Sequence, residues 1–227
     1  MTTTLVTGAN RGLGKETARQ LVAAGHTVYL GARDETRGRA AAEELGARFV
    51  RLDVTDDASV AAAFAQLEAD GGVDVLVNNA GIAMLALNGP EALAVFDTNA
   101  VGIIRVTEAA LPLLRKSANP VVVNVSSTLG SFWANHNPDR PASGVAAIVY
   151  GASKAAVSML TVQYARAVPE VKFNAVEPGY TATKLGGHDN SHGRPVEISA
   201  RAIVRMAVIG TDGPTGTFQE DDRELGW

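Results

Sequence analysis

Two regularities in the sequence predict an α/β protein: one doubly wound parallel sheet with helices on both faces. Short β-branched runs alternate with longer amphipathic stretches from Thr4 to Val176. The runs are apolar throughout rather than alternating with polar residues, as strands buried on both faces must be. A β-α-β-α order of this kind belongs to parallel sheets with right-handed crossovers.

The strand-like runs are Thr4–Thr7, Thr27–Ala32, Arg48–Leu52, Val73–Val77, Val121–Val125 and Lys172–Val176. Between them, helical periodicity predicts Leu13–Ala24, Asp34–Leu45, Asp57–Ala69, Pro90–Lys116 and Tyr150–Ala167. Asp34 stands where an N-cap belongs. Two stretches break the rhythm, residues 131–149 and 184–195. Rich in Pro, Asn and Gly, they read as loops, and long loops in a compact domain are more often functional than accidental. With no linker, repeat or low-complexity tract, residues 1–227 read as a single domain. The tail Glu220-Asp221-Asp222-Arg223-Glu224 reads as a solvated acidic run.

Composition excludes several classes of function. A net charge of −4 leaves no general electrostatic footprint for nucleic acid or an anionic membrane. The chain has no cysteine, so thiol catalysis, disulfides and cysteine-ligated metal are ruled out. The start, Met1-Thr2-Thr3-Thr4, lacks the basic, apolar pattern of a signal peptide, and no apolar stretch approaches a membrane span. A cytoplasmic protein is the expectation. His188 and His192 are four apart, a spacing that can bind metal on a helix, but they lie in a loop without an evident third ligand, so no metal is expected.

The first strand runs directly into Gly8-Ala9-Asn10-Arg11-Gly12-Leu13-Gly14, and a helix follows. Glycines allow a tight turn and let backbone N–H groups approach a pyrophosphate at a helix N-terminus. The unit is therefore Rossmann-like, although its spacing is G-x-x-x-G-x-G rather than G-x-G-x-x-G. In NAD-binding units an acidic residue near the end of the second strand holds the ribose 2′-hydroxyl. Here that position is Ala32, with Arg33 next. Asp34 is 20 residues after Gly14, but the N-cap role is preferred for it. Arg33 and Arg11 together suit a 2′-phosphate, which favours NADPH over NADH.

Tyr150 and Lys154 share one face of the last predicted helix. A free tyrosine has a pKa of about 10 and is a poor base at neutral pH. A lysine ammonium beside it favours the phenolate and would lower that value by roughly 1–3 units. Alone, the pair also describes two amphipathic residues on a solvated face.

Taken together, Thr7-Gly8-x-x-x-Gly12-x-Gly14, Asn78-Asn79-Ala80-Gly81, a serine after the fifth strand and Tyr150-x-x-x-Lys154 resemble the short-chain dehydrogenase/reductase family. The likeness runs in order from Leu5 to about Thr183. Residues Gly31-Ala32-Arg33-Asp34 and Thr36-Arg37-Gly38 further resemble its NADPH-dependent carbonyl reductases.

The resemblance implies an NADPH-dependent oxidoreductase that moves a hydride between the nicotinamide and a carbonyl or secondary alcohol. Tyr150 would be the general acid in reduction and the base in oxidation. Lys154 would lower its pKa and bond the nicotinamide ribose. Ser127, rather than Ser126, would orient the substrate, and Asn99 would hold a water in a proton relay. Gly8, Asn10, Arg11, Gly12, Leu13 and Gly14 would cradle the phosphates, with Arg33 at the 2′-phosphate. Asp53 and Val54 would meet the adenine, and Asn79, Ala80 and Gly81 the adenosine ribose. Pro178 and Gly179 would seat the nicotinamide, with Thr181 or Thr183 bonding its carboxamide. Phe132, Trp133 and Tyr180 would line the substrate pocket.

The sequence departs from the family pattern in one place. Between Ser127 and Tyr150 lie 22 residues, more than the family commonly has, and the excess falls in Trp133–Pro141. Helices like Pro90–Lys116 and Tyr150–Ala167 usually pair between subunits. The extra residues would either obstruct that pairing or build the pocket, so monomer and homodimer both remain open. Two rival readings fit less of the sequence. A non-enzymatic NADPH-binding sensor or scaffold commonly lacks part of the tyrosine–lysine site. A nucleotide-sugar epimerase usually carries G-x-x-G-x-x-G and a larger substrate region.

Overall fold

The computed structural model describes residues 2–84, 88–187 and 190–227. Six parallel strands and their helices follow the predicted order. They are β1 (Thr3–Thr7), α1 (Gly12–Ala23), β2 (Thr27–Ala32), α2 (Glu35–Leu45), β3 (Arg48–Arg51), α3 (Asp57–Ala69), β4 (Val75–Asn78), α4 (Gly89–Phe96), α5 (Gly102–Leu114), β5 (Val121–Val125), α6 (Phe132–His136), α7 (Ile148–Ala167) and β6 (Lys172–Glu177). The chain then continues through α8 (Val196–Ala207), β7 (Thr217–Glu220) and β8 (Arg223–Leu225).

The sheet order is β3-β2-β1-β4-β5-β6-β7-β8, all parallel except β8. Chain order reverses between β1 and β4, and open α/β sheets bind ligands outside the strand C-termini at such a switch point. The pleat sends successive residues to opposite faces. Leu5, Leu76 and Val122 join one core with α3 and α5, whereas Val6, Val77 and Val123 join another with α1 and α8.

Local signals end the helices where the sequence places them. Asp34 caps α2 by accepting from Arg37 N at 2.9 Å, and Asp56 caps α3 through Ala58 N and Ser59 N. Arg11 precedes α1 with no side-chain cap bond.

Four expectations need correction. The helix expected over Pro90–Lys116 is interrupted by a π-helical turn, Asp97–Val101. Residues 131–149 are not all loop: they contain α6 and a 3₁₀ turn, Pro141–Gly144. α8, β7 and β8 lie where no element was expected. The tail is solvated only in part: Asp221, Asp222, Arg223 and Glu224 are exposed, but Glu220 closes β7 with its side chain 12% exposed and accepts from both Arg140 and Arg223. Asp221 turns the hairpin with φ of 46° and pairs with Arg194.

Candidate active site

The sequence-predicted residues gather along one edge, at the C-terminal ends of the parallel strands. At β1, Gly8 and Gly14 let backbone segments approach. A Cβ on Gly8 would fall 2.9 Å from Ala80 Cα, and one on Gly14 would fall 2.3 Å from Asn79 Nδ2. Thr7 ties the same junction, its hydroxyl accepting from Asn79 N at 3.0 Å and Ala80 N at 2.9 Å. The first turn of α1 therefore faces the groove with its N–H groups uncapped, a setting suited to an anion.

Around that turn, Asn10 and Leu13 are half-buried, and Arg11 and Arg33 are exposed. Asp34 is committed to its own helix and takes Arg37 Nε at 2.6 Å. Asp53 accepts from Thr55 N and Oγ1 at 3.0 and 2.7 Å, and Val54 packs against Gly102. Thr183 reaches over the loop, near Gly12. Thr181 turns inward instead, its hydroxyl bonding Gly179 O at 2.8 Å and Ser199 Oγ at 2.9 Å.

The fifth strand and α7 bring the polar centre together. Ser127 accepts from Leu129 N at 3.2 Å and acts on the Tyr150 phenol, favouring its ionised form. Ser126 is buried and faces away, bonding Ser158 Oγ at 3.1 Å and Lys154 O at 3.3 Å. Lys154 Nζ lies 5.6 Å from the Tyr150 ring centre and donates to Val125 O at 2.7 Å. Asn99 occupies the π-helical turn, a device frequent at functional sites. Its amide accepts from Ile82 N at 2.8 Å and donates to Ile82 O at 2.9 Å and Ser153 Oγ at 3.0 Å. Beneath these groups, Asn78 donates to Asn124 Oδ1 at 2.9 Å and Thr107 Oγ1 at 3.2 Å, satisfying a buried amide across the sheet.

The electrostatics differ from expectation. Burial, then the Glu177 carboxylate, push the Tyr150 phenol above its usual range, against the opposing effect of Ser127. Burial pulls Lys154 down to about 8, with Glu177 opposing. Desolvation of both groups thus outweighs the help that lysine is expected to give tyrosine.

The suggested pocket aromatics are all exposed. Phe132 is 73% exposed. Trp133 donates its backbone N–H to Trp227 O at 2.9 Å, and its ring lies beneath Arg140 at 5.9 Å. Tyr180 is exposed, and its hydroxyl donates to Asn190 Oδ1 at 2.9 Å. His188 lies outside the described residues, and among those described no three His, Asp or Glu gather as a metal site. Among them, too, no helix is long and apolar enough to cross a membrane.

Sequence reasoning missed two features. Glu177 is 4% exposed at the end of a strand buried on both faces, and a carboxylate there is itself the signal. Gly130 and Gly151 seat α7: a Cβ on Gly130 would fall 2.4 Å from Lys154 C and Ala155 N, and one on Gly151 2.8 Å from Leu129 O. Small residues at both positions were legible, but not that they face each other's backbones.

Known proteins are similar to this chain in sequence and in fold. The family model described as short chain dehydrogenase matches residues 2–193. Carbonyl reductase [NADPH] 1 of Sus scrofa is 34% identical, the alignment covering 98% of this chain and 93% of that protein. (-)-Isopiperitenone reductase of Mentha piperita is 30% identical, covering 97% and 96%. Among solved structures, the carbonyl reductase Sniffer of D. melanogaster superposes with a TM-score of 0.86 at 26% identity, covering 100% of each chain. The NADPH-bound carbonyl reductase from chicken fatty liver gives 0.84 at 28%, covering 99% and 98%. With an eight-stranded Rossmann-like sheet, a glycine-rich first turn and the Ser127–Tyr150–Lys154 cluster at its switch-point edge, the chain belongs to the short-chain dehydrogenase family of oxidoreductases.

Proposed function

We propose that the protein is an NADPH-dependent reductase of carbonyl compounds, or a dehydrogenase of the matching secondary alcohols, with Tyr150 as general acid and base. The observation that carries this reading is Lys154 Nζ 5.6 Å from the Tyr150 ring centre, with Ser127 close enough to the phenol to oppose its rise in pKa. The residues fit a dinucleotide. Gly8 and Gly14 let the turn pack on Ala80 and Asn79 more closely than any Cβ would allow, beside the uncapped start of α1. Arg33 and Arg11 form no ion pair among the described residues and suit a 2′-phosphate, while Asp34 is already taken by Arg37. Two relatives named for NADPH lend support.

A bound nicotinamide would supply the hydride. The protein's own part is to place the carbonyl and handle the proton. Tyr150 Oη gives its proton to the carbonyl oxygen as negative charge builds there, and Ser127 Oγ donates a second hydrogen bond to it. A phenol held above its usual pKa stays loaded at neutral pH, the form reduction needs. Lys154 Nζ spends one N–H on Val125 O and keeps others for the groove. Asn99 is a positioning residue that fixes the backbone at Ile82 beside Lys154.

The test is NADPH oxidation against a panel of ketones and aldehydes, with Tyr150→Phe as control. The variant is expected to keep NADPH binding and lose turnover by roughly 10²–10⁴-fold. Undiminished turnover in Tyr150→Phe would overturn the assignment.

A further inference from the structure

Glu177 ends β6 almost wholly buried, and its two oxygens are used on opposite sides. Oε2 accepts from Thr128 N, the residue after Ser127. Oε1 accepts from Gly179 N at 2.6 Å, in the Pro178-Gly179 turn. Two backbone N–H groups on two oxygens suit a carboxylate, which only accepts. Strand β6 itself places the group, since Glu177 pairs in register with Glu220 of β7. A buried carboxylate is costly unless it is bonded and balanced. Both hydrogen bonds here come from neutral backbone, so the balancing charge must come from elsewhere.

The charged and titratable groups facing it come from each surrounding element. From α7 come Tyr150 and Lys154, both of which feel the Glu177 charge. From the segment between β5 and α7 comes Arg140, which also feels it; its two terminal nitrogens bond Glu220, while its buried Nε has no partner among the described residues. From β7 and β8 come Glu220 and Arg223, already paired with each other. Arg140 is thus shared between two neighbouring carboxylates. That leaves the Tyr150–Lys154 pair as the titrating partners of Glu177.

We propose that Glu177 is a positioning residue of the proton-transfer site, fixing the Ser127 segment and the Gly179 turn through one oxygen each, and that its charge keeps the Tyr150–Lys154 pair protonated. The inference rests on the reading of that pair as the proton-transfer groups. Its direction follows from Coulomb's law: a fixed negative charge favours the protonated form of both neighbours, phenol and ammonium. Reduction consumes the tyrosine proton, so the carboxylate extends the reductive reaction towards higher pH. It also sets the spacing of the two lips that hold substrate and nicotinamide.

Two readouts in Glu177→Gln test this. The first is the alkaline limb of NADPH-dependent carbonyl reduction. Gln removes the charge and keeps the shape, so the limb is expected to move to lower pH by roughly one unit. The second needs no turnover. Urea melts of each background, with and without Lys154→Met, locate the pH at which Lys154 loses its proton in the folded protein. That pH is also expected to fall by roughly one unit without Glu177. A limb and a lysine titration that both stay at their wild-type pH overturn the proposal.

Should the wild type reduce no carbonyl, the functional reading falls, and the lysine titration alone decides the role of Glu177. Should Glu177→Gln fail to fold, Glu177→Asp decides. Aspartate keeps the charge but is one methylene too short to reach both N–H groups. The limb is then expected to stay in place while kcat drops by up to about a hundredfold, and a limb that shifts in this variant rejects the charge role.

Discussion

Arg140 and Glu220, 80 residues apart, meet in a bidentate pair of 2.7 and 3.0 Å, their side chains only 13% and 12% exposed. The pair clamps the long segment before Tyr150 onto the β7–β8 hairpin. Removing the arginine leaves Glu220 mostly buried with Arg223 as its remaining partner, and Arg140→Met is expected to cost about 3 kcal/mol in urea unfolding at neutral pH. Burial opposes ionisation of Glu220, but the arginine hydrogen bonds win and hold its carboxyl below the usual range. The stabilisation is therefore complete above an ordinary glutamate pKa of about 4.3 and fades as pH falls through the folded value. Denaturant midpoints should converge for wild type and variant in acid. A deficit that stays constant down to the acid transition would contradict this account.

Lys154 gives a second pH signature, of opposite sense. Its folded pKa is about 8, lowered first by burial, while a lysine in the unfolded chain titrates near 10.4. Between those values the unfolded chain holds the extra proton, so stability rises with pH across the window. Relative to Lys154→Met, the wild type is expected to gain stability on the order of 3 kcal/mol over that range. Tyr150, raised by burial, works the other way only above about pH 10. Parallel stability curves for the two proteins from pH 7 to 10 would refute the lowered lysine.

Arg33 governs the choice of cofactor in this reading. Arg33→Asp exchanges a cation for a carboxylate that suits a ribose diol and repels a 2′-phosphate. NADPH affinity is expected to fall roughly 10–100-fold, the worth of one charge-assisted hydrogen bond, while NADH affinity rises. Fluorescence titration with both nucleotides reads it. An unchanged preference would send the 2′-phosphate elsewhere.

Gly130→Ala tests the seating of α7. A methyl group there would overlap the backbone of Lys154 and Ala155 at 2.4 Å, so a loss of about 1–3 kcal/mol is expected. Turnover should fall further than stability, because Lys154 and Tyr150 shift together. Gly144→Ala lies in the same segment with open space around it and serves as the control. Equal behaviour of the two variants would show that the contact does not matter.

The sequence made the first six strands legible because each is a compact β-branched run that buries both faces, as Val121–Val125 does. It hid β7, whose Thr217-Phe218-Gln219-Glu220 reads as polar until Arg140 and Asn174 are known to meet it. The π-helical turn was equally invisible, since Asn99 earns it through Ile82 and Ser153, neither of them near in sequence. Local chemistry such as the Asp34 cap was readable. Partners supplied from dozens of residues away, including those of Glu177, were not.

Gly130 and Gly151 bring the serine segment and α7 into contact backbone to backbone, with no side chain between them. The distance from Ser127 to Tyr150 is thereby set at the two ends of a segment rather than along it. Of the 22 intervening residues, those beyond Gly130 are largely released from the task of holding those ends together. They can lengthen, shorten or change composition while the spacing of Ser127 and Tyr150 stays put. This is a chassis on which substrate range can evolve separately from the chemistry it serves.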